Sequence, residues 1–320
     1  MVALTPRVFR RRMPRPTDNR EMPNFLIIGA AKCGTSSLHA YLDLHPEIAM
    51  SKLKEPKYFV REVSPEFLRD FPEFEGFHTT ARDAYLGLFE PGHRFRGEAS
   101  TAYSNSPQFP GVPAAIHSEI PDAKLIYLVR DPVERVISQY VQWLGSANRY
   151  RRDLVRRYGI EGLMRNPHDP AISIISNSLY MRQIDEYLRF FPRESLLLID
   201  SADLESDRRQ TLSRIFSFIG ADPDFWDDGM LERVNEGARK REVGSLYMKL
   251  RESTLARGTL DLLPEERRAL LVDVAYRTLS RPIERPSIDP VLREKIERTV
   301  SEDVAELRRF TGMDFPTWSV

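Results

Sequence analysis

Phe25-Leu26-Ile27-Ile28-Gly29-Ala30-Ala31-Lys32-Cys33-Gly34-Thr35-Ser36-Ser37-Leu38 is the stretch whose reading decides the fold. Phe25 to Ile28 is an apolar run that breaks at Gly29, the pattern of a short strand buried on both faces. Ser37 to Leu44 has helical character and is stopped by His45-Pro46. The same unit recurs. Leu125-Ile126-Tyr127-Leu128-Val129 predicts a second buried strand, and Asp131-Pro132-Val133-Glu134 then opens a helix, with Asp131 as N-cap, Pro132 in the first turn and Glu134 completing a capping-box pattern. Val136, Ile137, Tyr140 and Val141 form the inward face of that helix. Ser195-Leu196-Leu197-Leu198-Ile199 predicts a third strand, followed by a helix over 207–219. Non-alternating apolar strands separated by helices predict an α/β protein, a P-loop-like parallel sheet flanked by helices. Residues 62–113 read as loop-dominated with short elements, 147–165 as Arg-rich and helical in part, 174–190 as helical, and the chain from about Leu262 as helical C-terminal additions. One domain over 23–320 follows, behind a basic tail at 1–22 that is expected to be disordered or to touch an anionic surface.

Composition narrows the class. Lys+Arg and Asp+Glu both total 47, so no global field draws the chain to nucleic acid, and any anion site must be local. The single cysteine, Cys33, excludes an intramolecular disulfide and a Cys-based metal cage, and fits a cytoplasmic setting. No apolar run is long enough to predict a membrane span, and the six histidines show no ligand spacing, so no metal site is expected.

The loop from Gly29 to Ser37 has the composition of an anion cradle. Small residues let backbone N–H groups converge, the helix start contributes donors and the positive end of its dipole, and Thr35, Ser36 and Ser37 add hydroxyls. Its glycines have the spacing of a Walker A loop, but Thr35 stands where the Walker lysine belongs and the lysine, Lys32, lies inside the loop. That arrangement suits a smaller anion with its cation placed differently. Arg130, at the end of the second strand, lies where open α/β sheets put ligands, and Ser138 follows it by about two helical turns.

With these segments in this order, the chain resembles the family of sulfotransferases that use 3′-phosphoadenosine-5′-phosphosulfate (PAPS), in particular its heparan-sulfate-type and bacterial branch. Pro23 to Leu38 is similar to the family's 5′-phosphosulfate loop, and Lys124 to Tyr140 to its 3′-phosphate strand and helix. The resemblance implies a cofactor site of Lys32, Cys33, Gly34, Thr35, Ser36 and Ser37, with Arg130 and Ser138 holding the 3′-phosphate. Lys32 would stabilise the charge that grows on the leaving phosphate. Arg239, Lys240 and Arg241 could supply the family's late basic loop, although a solvated charge run reads equally well. Lys52-Leu53-Lys54-Glu55-Pro56-Lys57-Tyr58-Phe59 looks like the family element that carries the general base, which makes Glu55 the base and Lys54 and Lys57 candidate substrate contacts; Lys57 stands where many members have His. Gly97-Glu98-Ala99-Ser100-Thr101-Ala102-Tyr103 resembles another acceptor-side stretch, with Ser100 and Tyr103 as candidate lining residues and Ala99 in place of a family lysine. The segments 178–222 and 304–315 are also similar to family segments.

The implied reaction is in-line sulfuryl transfer to an acceptor hydroxyl or amine on a glycan, lipid or small metabolite. Two rivals remain at this stage. One is a P-loop kinase or NTPase, for which Leu196 to Asp200 imitates a Walker B strand. The other is a non-catalytic nucleotide-binding protein of the same fold.

Overall fold

Strand β1 (Phe25–Gly29) is buried along its whole length, as its unbroken apolar run requires. The computed structural model describes residues 22–70, 81–145, 174–232 and 285–320, together with parts of 155–162 and 241–283. Residues 1–21 of the basic tail, Arg149, Arg151, Arg152, Arg156 and Arg157 of the Arg-rich segment, and residues 239–240 lie outside the described residues.

Five parallel strands form the main sheet in the order β2-β3-β1-β4-β5, with β2 at Ile48–Met50, β3 at Phe95–Ala99, β4 at Lys124–Val129 and β5 at Leu196–Asp200. The chain runs from β1 to one side of the sheet and returns through β4 to the other. The loops after β1 and β4 therefore diverge at a topological switch point, where such sheets bind ligands. Helix α1 (Thr35–Asp43) follows β1, α2 (Pro65–Asp70) and α3 (Arg82–Leu86) precede β3, α4 (Val112–Glu119) precedes β4, and α5 (Pro132–Leu144) follows it. Next come α6 (Tyr180–Leu188), α7 (Ser201–Ser206), α8 (Arg208–Ile219), α9 (Glu265–Thr278) and α10 (Pro290–Thr311). A separate antiparallel pair, β6 (Arg241–Val243) and β7 (Ser280–Pro282), stands apart from the main sheet.

The expected strands and the N-cap of α5 are all present; Asp131 Oδ1 accepts from Glu134 N at 2.8 Å. The second half of the capping box does not form, because the Glu134 carboxylate turns to Arg130 and Arg285. The short elements expected within 62–113 include an interior strand, β3, with α4 beginning at the region's end. The sequence hid β3 because Arg96, Gly97 and Glu98 break its apolar run. Arg96 escapes to the carbonyls of His93 and Met22, Gly97 leaves room for the Phe25 ring, and the Glu98 carboxyl is satisfied by three buried hydroxyls. The helix expected from 174 begins only at Tyr180, since residues 176–178 form a single tight turn. Its first turn is capped from α10, where the Asp303 carboxylate accepts from Met181 N and Arg182 N, both at 3.0 Å.

Candidate active site

Three adjacent strands, β3, β1 and β4, bring the chemistry to one edge of the sheet, each about 5 Å from the next. The middle strand supplies the loop with Lys32. That loop is anchored by Ala30 N donating to Leu128 O at 2.7 Å and Cys33 N donating to Ala30 O at 3.2 Å. Lys32 and Gly34 both have left-handed backbone, with φ of 75° and 96°. The turn they make starts α1 abruptly. Its first intrahelical bond runs from Leu38 N to Gly34 O at 3.0 Å, so the amides of residues 35–37 point out of the helix end. Aspartate side chains cap α5, α7, α8 and α10, whereas no side chain caps α1. The donors suit an anion delivered from outside the chain.

Within this loop the candidates divide. Lys32, Gly34, Ser36 and Ser37 are partly exposed. Thr35 is buried, and so is Cys33, whose thiol faces the Tyr180 hydroxyl at 3.7 Å. Burial pushes that thiol up to about 11, so it stays protonated and packs as a small apolar group. The Cys33 side chain is therefore turned away from any ligand in the cradle.

The right-hand strand supplies Arg130. Tyr180, fully buried, clamps its backbone by donating to Arg130 O at 2.8 Å and accepting from Arg130 N at 3.3 Å. Because the same hydroxyl meets Cys33, Tyr180 ties the β1 and β4 loops together. The Arg130 side chain is about one-third exposed and meets Glu134 one turn into α5 at 3.3 Å. Ser138 lies further along α5 and is partly exposed. Arg285 also reaches Glu134, which places a second guanidinium beside Arg130. Sequence reading missed Arg285, having assigned the late cations to 239–241. Of those, only the backbone of Arg241 is described, in β6.

The left-hand strand supports Glu55. Its N–H donates to Ala99 O at 3.0 Å, and its carboxylate accepts from Thr101 N, Thr101 Oγ1 and Lys54 Nζ, all at 3.0 Å. The Glu55 side chain stays about one-quarter exposed. Glu55 and Lys57 are again left-handed, with φ of 62° and 57°, a conformation costly for residues with a Cβ. Ser100 and Tyr103, read as lining residues, are buried instead. Their hydroxyls donate to the Glu98 carboxylate, at 2.7 Å from Ser100 and 2.5 Å from Tyr103. Thr101 and Glu98 were the informative residues of that stretch. A carboxylate inside an otherwise apolar or small-residue run was the only sequence signal for the second.

Asp200, the apparent Walker B residue, is spent on structure. One oxygen accepts from Ala202 N and the other from Trp318 Nε1, both at 3.0 Å. The ring of Trp318 packs on Phe315 and Tyr180, and Ser319 N donates to Asp131, so the C-terminal segment is folded beneath the switch point.

Fold and site together define an α/β protein with an anion cradle at a switch point, a cation inside the cradle, a guanidinium pair on one side and a held carboxylate on the other. The family model of the sulfotransferase domain matches residues 22–256. The chain belongs to the sulfotransferase domain family. It is 30% identical over 203 residues to mouse heparan sulfate glucosamine 3-O-sulfotransferase 6, covering 63% of this chain and 53% of that protein. It is also 28% identical over 253 residues to mouse carbohydrate sulfotransferase 15, covering 64% and 45%. The chain thus spans about half the length of the curated relatives it matches. Among solved structures, a sulfotransferase from Alicyclobacillus acidocaldarius superposes with a TM-score of 0.61 at 25% identity, over 94% of this chain and all of that one.

Proposed function

We propose that the chain transfers a sulfuryl group from PAPS to a hydroxyl of a glycan acceptor. The observation that carries this reading is the placement of three groups at the C-terminal ends of three neighbouring strands: Lys32 follows β1, Arg130 follows β4, and Glu55, on the segment after β2, is held against the end of β3. The donor set fits the cofactor. Lys32, the outward amides of residues 35–37 and the Ser36 and Ser37 hydroxyls would hold the phosphosulfate, and Arg130 with Ser138 would hold the 3′-phosphate. PAPS supplies a sulfuryl group whose leaving phosphate is stable.

Glu55 accepts the acceptor's proton, so that the hydroxyl becomes a competent nucleophile; a positioned base of this kind contributes about 10²–10⁴-fold. Thr101 and Lys54 fix the carboxylate through three hydrogen bonds, which leaves one of its four lone-pair sites to receive a proton. Lys32, inside the cradle, would stabilise the charge that grows as the S–O bond breaks. Lys54 and Lys57, together with the exposed Leu53, offer cations and an apolar platform for an anionic polysaccharide. The names of the two mammalian relatives support a glycan over a lipid or small metabolite. The lone buried thiol is compatible with the cytoplasmic setting expected from the sequence.

The kinase alternative has lost its feature, because both Asp200 oxygens are engaged. The test is calorimetric titration with 3′-phosphoadenosine-5′-phosphate (PAP) beside ATP, followed by transfer from labelled PAPS to desulfated heparan and chondroitin chains. Tight PAP binding with transfer to a glycan is the expected result. A preference for ATP would return the kinase reading, and PAP binding with no transfer to any acceptor would leave a nucleotide-binding protein.

A further inference from the structure

Glu98 lies on β3, fully buried, and among the described residues no cation bonds it. Three hydroxyls donate to it: Tyr103 and Tyr85 to Oε1 and Ser100 to Oε2. Two of these hydroxyls also act as acceptors. Ser100 Oγ accepts from Lys57 N at 3.0 Å, and the Tyr103 hydroxyl accepts from Phe59 N at 3.3 Å. The segment 54–59, which carries Glu55 in its left-handed conformation, is thus held at two alternate amides through relays that end on one carboxylate. Tyr85 differs: it bonds the same carboxylate but touches the segment only through its ring, stacked on Tyr58 at 4.0 Å and edge-on to Phe59.

The geometry points to Glu98 as the positioning residue for Glu55, acting through the Ser100 and Tyr103 hydroxyls on the backbone of 57 and 59. In its ionised form Glu98 suits this role, because a carboxylate accepts only. Each hydroxyl must spend its single proton on Glu98, which leaves its lone pair turned to the backbone N–H. The relay therefore has one polarity, and the backbone it holds has one placement. The inference rests on the proposed role of Glu55, but its geometric half can be read without turnover.

The experiment compares Ser100→Ala, Tyr103→Phe and Tyr85→Phe in the full chain. The first two cut a relay; the third removes a bond to Glu98 and keeps its ring. Two quantities are measured. One is amide hydrogen exchange at Glu55 and Thr101, whose N–H groups bond Ala99 O and the Glu55 carboxylate and meet neither relay hydroxyl directly. The other is steady-state sulfuryl transfer with the PAPS KM and PAP Kd.

Ser100→Ala and Tyr103→Phe are expected to speed exchange at both amides and to lower kcat roughly ten- to hundredfold, the scale of a misplaced catalytic group. PAPS KM and PAP Kd should stay within about twofold, and Tyr85→Phe should match wild type in both quantities. Unchanged exchange at Glu55 and Thr101 in the two relay variants would overturn the proposal. So would losses in Tyr85→Phe equal to those in Tyr103→Phe, because that pattern is general loosening of the core. If the wild type transfers no sulfuryl group to any glycan, the functional reading fails while the exchange data still decide the relay.

Discussion

Replacing Glu98 with Gln provides a direct test of the buried carboxylate, because neutral Glu and Gln have nearly the same shape. Burial pushes the Glu98 carboxyl up from 4.5 to about 7, against the pull of the hydroxyls of Tyr103, Ser100 and Tyr85, with Glu55 adding a further upward push. The folded state therefore holds this proton more tightly than the unfolded chain does. The stability linked to it is complete below about 4.5 and is withdrawn as pH rises through about 7. Between pH 5 and pH 8 the linkage relation gives a loss of roughly 2–3 kcal/mol for wild type that Glu98→Gln does not suffer. Asp303, raised by burial to about 6, pulls in the same direction but is common to both proteins and cancels in the comparison. The assay is urea denaturation of both proteins at pH 5, 6, 7 and 8. The two should be close at pH 5, and the variant should become progressively the more stable. Parallel curves would refute the reasoning. A wild type that gains on the variant as pH rises would mean that the hydroxyls hold Glu98 ionised, outweighing its desolvation.

Other parts of the molecule are open to similar tests. Arg130→Ala should weaken PAP binding by roughly 10–100-fold, the cost of a charge-assisted contact. Arg285→Ala, with a side chain 57% exposed, should cost less than about tenfold; calorimetry at fixed salt checks both. Asp200→Ala should lower stability by about 2–3 kcal/mol through loss of the α7 cap and the Trp318 bond, and leave PAP affinity unchanged. Loss of nucleotide affinity without destabilisation would instead put Asp200 in the site. Gly97→Ala should be among the most disruptive single changes, because a Cβ there would lie 2.1 Å from the Phe25 ring, where β3 pairs with β1. Overpacking of this kind costs about 1–3 kcal/mol or more, read as a fall in the urea midpoint.

How much of this was legible beforehand depended on whether a segment's local signal agreed with its environment. β1, β4 and β5 were readable because burial on both faces demands apolar residues throughout, and theirs are apolar. The start of α5 was readable because Asp131 and Pro132 act locally. β3 was not, since the partners that tolerate Arg96 and Glu98 include ones distant in sequence: Met22 beside the nearby His93 for the first, and Tyr85 beside the nearer Ser100 and Tyr103 for the second. β2 was too short, at Ile48–Met50, to show any period. In the site, Lys32 and Arg130 stood out because cradle and strand-end chemistry is carried by contiguous motifs, and Glu55 because its segment resembles a family element. The direction in which Ser100, Tyr103 and Cys33 point was not legible, because a small or hydroxyl-bearing residue beside a cleft can face either way. Arg285 was invisible for a related reason: only the fold brings it to Glu134, from 151 residues away.

The backbone itself marks where side-chain identity overrides conformational preference. Among the described residues, four non-glycine positions have left-handed φ: Lys32, Glu55, Lys57 and Phe315. Three of them are the cation, the carboxylate and a substrate-side lysine of the proposed site. A left-handed L-residue costs about 1–2 kcal/mol, a penalty glycine avoids while losing some of that gain to its greater freedom when unfolded. A chain selected only for stability would place glycine at Lys32, as it does two residues later at Gly34. Lys32→Gly should therefore hold or raise folding stability, by up to about 1 kcal/mol, while sulfuryl transfer collapses. Urea denaturation paired with a transfer assay separates the two effects. A destabilised Lys32→Gly would show that the lysine is kept for its packing, and would remove the strongest reason for placing it at the reacting group.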